Sequence, residues 1–161
     1  MTVTTISGLP AHVLLVHALV VLAPLTALLE ILCALWPTAR RHLVWLVLTL
    51  AAVTTVLTPI TANAGAWLYD RERQHRDILN THADRGSLMI YFAIALLAVA
   101  VLLTLIHRRE VRAPSPGLVM NVAIAVIAIV VGVATIVQVV RIGDSGARSV
   151  WANELTKSDK P

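Results

Sequence analysis

Four stretches of almost unbroken apolar residues run through the chain: Val13 to Trp36, Leu43 to Trp67, Leu88 to Ile106 and Leu118 to Val140. Each is near the ~20 residues that a helix needs to cross hydrocarbon, where every backbone N–H and C=O must be bonded within its own segment. The spacing predicts an all-α, four-transmembrane-helix bundle of up-down topology. With 58% hydrophobic and 14% charged residues among 161, there are too few polar side chains to cover a soluble domain of this size, which excludes a water-soluble enzyme. The four spans leave only short connections, so residues 1–150 read as one membrane domain and 151–161 as a flexible polar tail.

The net charge of +4 is better read by position than by sum. Arg40 and Arg41 lie between spans one and two; Arg108, Arg109 and Arg112 lie between spans three and four, with Glu110 the one acid in either connection. Those connections are expected on the cytoplasmic side. The connection between spans two and three balances Asp70, Glu72, Asp77 and Asp84 against Arg71, Arg73, Arg76 and Arg85. It is expected outside, with both termini, as a helical extension of the third span. No Lys or Arg precedes Arg40, so the first span is expected to stay rather than be cleaved as a signal peptide. Pro37 is expected to end the first span. Single Cys33, inside a span, offers no disulfide framework, and nucleic-acid binding is not implied.

Small residues mark where membrane helices meet, since lipid provides no hydrophobic drive between them. Each span has such a seam at helical spacing: Ala23, Ala27, Glu30 and Ala34; Thr54, Thr58, Thr61 and Gly65; His82, Gly86, Met89 and Ala93; Asn121, Ala125, Ala128, Gly132 and Thr135. Glu30 is the one acid inside a span, expected to reach a loop arginine or to serve a proton path.

Six histidines are the candidates for chemistry. His42 and His107 flank spans beside arginines and read as interfacial. His12 and His82 fall at nearly equal depth near the outer boundary, and His17 lies about 7.5 Å deeper, rotated by about 140° from His12. A flat macrocycle between helices needs an axial ligand from each side and small residues where its faces approach backbone. Hence a b-type haem with His82 on one side and His12 or His17 on the other, Gly65 and Gly86 beside it, and Arg85 or Arg141 pairing with propionates. Two alternatives stand: a bare metal site from His12, His82 and Asp84 or from Glu72-x-x-His75, and a cofactor-free scaffold or assembly subunit whose histidines fasten helix ends. A transporter would want charged groups across mid-span, and these are too few.

The opening Gly8-Leu9-Pro10-Ala11-His12-x4-His17, Asp70, His82 and the closing Arg141-Ile142-Gly143-Asp144-Ser145-Gly146-Ala147-x-x-Val150-Trp151 together resemble a bacterial four-helix membrane family, domain of unknown function 2231. The resemblance implies an integral membrane domain found in relatives beside Rieske iron-sulfur or c-type cytochrome domains, hence electron transfer, and carries over to His12, His17 and His82. Relatives often have His where this chain has Asp144, so position 144 is not carried over. The resulting expectation is an electron carrier rather than a stand-alone enzyme, in the bacterial plasma membrane, meeting lipid, a redox partner protein or quinol, or a second copy of itself.

Overall fold

The computed structural model describes residues 5–6, 9–70, 77–112 and 117–158, with side chains described between Ala11 and Ser149. Thr5–Ile6 (β1) pairs antiparallel with Leu9–Pro10 (β2), and four helices follow: α1 Ala11–Leu35, α2 Pro37–Tyr69, α3 Asp77–Arg112 and α4 Leu118–Ser158. All four are long and apolar enough to cross a membrane. The two-residue pairing at the start is the one departure from an all-helical chain among the described residues.

Consecutive helices run antiparallel, as their contacts require. His12 at the start of α1 meets Thr61 late in α2, Arg40 at the start of α2 meets Glu110 at the end of α3, and Arg85 early in α3 meets Arg141 in the second half of α4. Helix α4 closes the ring against α1, and α1 also touches α3 across the centre. At the α1/α4 seam a Cβ on Gly132 would come within 2.8 Å of the Ile31 side chain, so these helices approach through the absence of a side chain.

The buried residues are the small and polar seams: Ala23, Ala27 and Ala34 of α1, Ala51, Thr54, Thr58 and Thr61 of α2, Ala93 and Ala100 of α3, Ala128 and Thr135 of α4. The hydroxyls of Thr58, Thr61 and Thr135 return to the carbonyl one turn back, as Thr58 does to Thr54 at 2.7 Å, so each of these is satisfied within its helix. Thr55 also donates to Ala93 O of α3 at 3.1 Å. Leu96, Leu103, Val44 and Val47 fill the core between these seams, while many other large apolar side chains point outward: Val21, Leu28, Val56 and Val130 are each about 60% exposed, a pattern that is stable only against hydrocarbon.

The junction of α1 and α2 differs from expectation. Pro37 does not open a loop carrying Arg40 and Arg41; it is the first residue of α2, and Trp36 alone, extended at φ −125° and ψ 100°, separates the helices. Proline suits that position because its missing N–H would have no partner in a first turn and its ring forces the preceding residue to be extended. Arg40 therefore lies inside the bundle, wholly buried, with Nε and Nη2 donating to the Glu110 carboxylate and Nη2 reaching Asn121 Oδ1 at 3.5 Å. Beside them the Arg108 guanidinium stacks 5.3 Å above the Trp45 ring.

The helices also run beyond the apolar stretches. Helix α3 begins at Asp77, seven residues into the charged connection, and Tyr69 OH ties the end of α2 to Asn80 Oδ1 at 2.6 Å. Helix α4 continues through the segment read as a polar tail to Ser158. Its run Val150-Trp151-Ala152-Asn153-Glu154-Leu155 contains no glycine or proline, and good helix formers carry the backbone on from Gly146. At about 62 Å, α4 is roughly twice the hydrocarbon thickness.

Candidate functional site

Extension of the helices past the lipid-length segments builds a site at the end of the bundle where α1 and α3 begin and α2 and α4 run on. His12 and His82 meet there, ring centroids 6.3 Å apart and planes at 82°. Each imidazole is fixed in the same way. The His12 Nδ1–H donates to Thr61 O of α2 at 3.0 Å, and the His82 Nδ1–H donates to Ile142 O of α4 at 3.1 Å. One turn beyond each acceptor stands a glycine: Gly65 after Thr61, Gly146 after Ile142. A Cβ on Gly65 would lie 2.8 Å from His12 Cε1 and 2.9 Å from Nδ1; on Gly146 it would lie 3.0 and 3.3 Å from the same atoms of His82.

The repetition has a structural cause. A helical carbonyl already bonded to the N–H four residues on keeps a second lone pair, and the Cβ at that fourth residue leans back over it. Glycine uncovers the carbonyl for a lateral donor. Both helical hairpins use this device. Ser145 adds to it in the second hairpin: its hydroxyl returns to Arg141 O at 2.9 Å and its oxygen lies 3.3 Å from His82 Nδ1. The consequence is that both Nδ1 atoms are engaged as donors, and among the described residues neither Nε2 has a partner.

Around the two rings lies a cavity of about 540 Å³, lined by Val16 and His17 of α1, Ala62 and Tyr69 of α2, Gly86 of α3 and Ser149 of α4, among others. A pocket of about 70 Å³ continues it toward the middle of the bundle between Leu19, Thr58, Met89 and Val139. Gly86 has nothing within 4 Å of where a Cβ would stand, so that side of α3 faces open space.

The sequence candidates separate on this geometry. His12 and His82 are brought together, while His17 lines the wider cavity, is exposed, and bonds through Nδ1 to Val13 O of its own helix. Gly65 packs on an imidazole, and Gly86 lines the cavity. Arg85 spends Nη1 on Arg141 O at 3.0 Å and receives Gln138 Nε2 on its carbonyl at 2.8 Å, so these residues lock α3 to α4 beside the cavity. Asp84 is exposed and does not line the cavity, and no group of three or more His, Cys, Asp or Glu side chains fit to hold a metal ion occurs among the described residues. Glu72 and His75 lie outside the described residues. Thr61 O and Ile142 O had no counterpart in the sequence reading, because a backbone acceptor leaves no residue signature; Gly65 and Gly146, each four residues past the acceptor, were the available signal, and Ser145 entered only as a member of the closing motif.

The fold and its site define a four-helix integral membrane protein with two backbone-anchored imidazoles at one end. The chain belongs to the family described as predicted membrane protein, DUF2231, whose model matches residues 8–159. No curated protein and no solved structure matches it.

Proposed function

We propose that the chain is an electron-transfer module that holds a b-type haem between His12 and His82, at the extracytoplasmic end of the bundle in the plasma membrane. The observation that carries this reading is the pair of imidazoles with both Nδ1 protons committed to backbone carbonyls and, among the described residues, neither Nε2 partnered. A hydrogen bond from Nδ1–H to a carbonyl fixes the tautomer that ligates through Nε2 and raises its basicity. His12 and His82 would be the residues to hold the group, each through its Nε2. The ring centroids are 6.3 Å apart, so both imidazoles are within reach of one bound group. Two protein ligands suit a cofactor that brings four nitrogens of its own, and an apolar cavity of about 540 Å³ suits a macrocycle.

Bound haem would supply reversible one-electron chemistry at iron. This chain's residues do the rest. Thr61 O, Ile142 O and Ser145 hold the rings, and Leu19, Val16 and Met89 keep water from the inner wall. Arg85 and Arg141, next in sequence to cavity residues Gly86 and Ile142, offer cationic charge to propionates. The extracytoplasmic assignment rests on Arg40, Arg41, Arg108, Arg109 and Arg112 at the opposite end. Quinol in the lipid as donor and an extracytoplasmic redox protein as acceptor fit that placement.

Membranes from haem-replete cells overproducing the protein are expected to show a Soret band that shifts on reduction with dithionite. His12→Ala and His82→Ala each lose it, and His17→Ala keeps it. Colourless wild-type protein overturns the reading and leaves the cofactor-free scaffold; pigment retained in His12→Ala or His82→Ala removes that ligand.

A further inference from the structure

At the other end of the bundle a carboxyl group stands alone. Glu30 is wholly buried in α1, and neither Oε1 nor Oε2 has a hydrogen-bond partner. The titratable groups in the same half of the bundle are Cys33 one turn on, Arg40, Arg41 and His42 of α2, and His107, Arg108, Arg109, Glu110 and Arg112 of α3; α4 contributes Asn121 but no charge between Leu118 and Val140. Arg40 does not neutralise Glu30, because its Nε and Nη2 are committed to Glu110. An ionised carboxylate without a partner in an apolar interior is far costlier than the neutral acid. Even the neutral acid with both oxygens unbonded is less stable than a satisfied one. An apolar residue would avoid that cost, which makes the position a functional one by default.

A second observation gives the proton a way in. Arg40 Nη1 is also buried without a partner. Counting from Trp36 along antiparallel helices, the backbone of Glu30 lies about 9 Å in and that of Arg40 about 6 Å, a difference of about 3 Å along the bundle. The two unpartnered groups thus stand at neighbouring depths, and the Glu110 carboxylate beyond is 10% exposed. Polar groups at successive depths thus lie between the end of the bundle and Glu30, which stands five residues before the end of α1.

We infer that Glu30 is a proton-binding site inside the bilayer, a neutral carboxylic acid that exchanges its proton through the Arg40–Glu110 end of the bundle. The site stands on α1, α2 and α3 alone and needs no cofactor, so it survives or fails separately from the haem reading.

Infrared spectra of the full-length protein in lipid vesicles at neutral pH test it. Wild type is expected to show the carbonyl stretch of a protonated carboxyl, lost in Glu30→Gln and shifted downward after transfer to D₂O. Glu110→Gln is expected to slow that shift. Absence of the band from wild type overturns the inference, as does a band unmoved by D₂O; a shift of unchanged rate in Glu110→Gln overturns the route. Should Glu30→Gln fail to fold, dicyclohexylcarbodiimide, which adds to protonated carboxyls, is applied to the wild type. A mass increase on the peptide containing Glu30 supports the site, and an unmodified peptide overturns it.

Discussion

Two glycines set the positions of the two imidazoles. Because a Cβ at Gly65 would press within 2.9 Å of both Cε1 and Nδ1 of His12, Gly65→Ala must swing the ring off Thr61 O. The expected cost is about 1–3 kcal/mol, as for other overpacking substitutions, with a smaller one for Gly146→Ala, whose clearances are looser. Gly143→Ala is the control: nothing lies within 4 Å, and relief of glycine's helix penalty is expected to stabilise by up to ~1 kcal/mol. Reversible unfolding in mixed micelles would rank the three. At this scale the equal depth of His12 and His82 was legible from residue counts, since rise per residue is constant. The carbonyls that hold them were not, because an acceptor on the main chain is the same whatever residue bears it. Glu30 was legible as an anomaly, yet its lack of a partner depends on Arg40 having been claimed by Glu110.

Among the elements, the α2/α3 contact at the Arg40 end carries the largest single electrostatic stake. Arg40 is wholly buried and Glu110 nearly so, which makes removal of one partner far worse than replacement of both. Glu110→Ala is expected to cost about 3–5 kcal/mol, whereas a paired Arg40→Met, Glu110→Leu exchange should come out near neutral or better. Thermal denaturation of the detergent-solubilised variants separates these outcomes, and equal losses in single and double variants would refute the account. The sequence misplaced this pair because a proline after an apolar run reads equally as the stop of one helix or the first residue of the next. Only the extended conformation of Trp36 decides between them. The spans were legible because hydrophobic length is nearly the whole requirement of a membrane helix; the extensions of α3 to Asp77 and α4 to Ser158 were not, since beyond the lipid that requirement lapses.

For the molecule as a whole, the fold fixes that α1 and α3 begin at one end and α2 and α4 at the other, and leaves orientation to charge. We propose the histidine end outside. In a Cys33→Ala background, Asp77→Cys is expected to react with a membrane-impermeant maleimide in intact cells, and Arg112→Cys only after permeabilisation; both positions are exposed. The opposite pattern would put the imidazoles in the cytoplasm and exclude an extracytoplasmic acceptor.

The single residue between α1 and α2 bears on how the protein is made. With only Trp36 between them, the first two helices offer a nascent chain no slack in which to settle one before the other. The pair has to enter the membrane as one folded-over unit, steered by the arginines that emerge behind its bend. Lengthening that joint with a few flexible residues would uncouple the two insertions and let the first helix choose its direction without guidance.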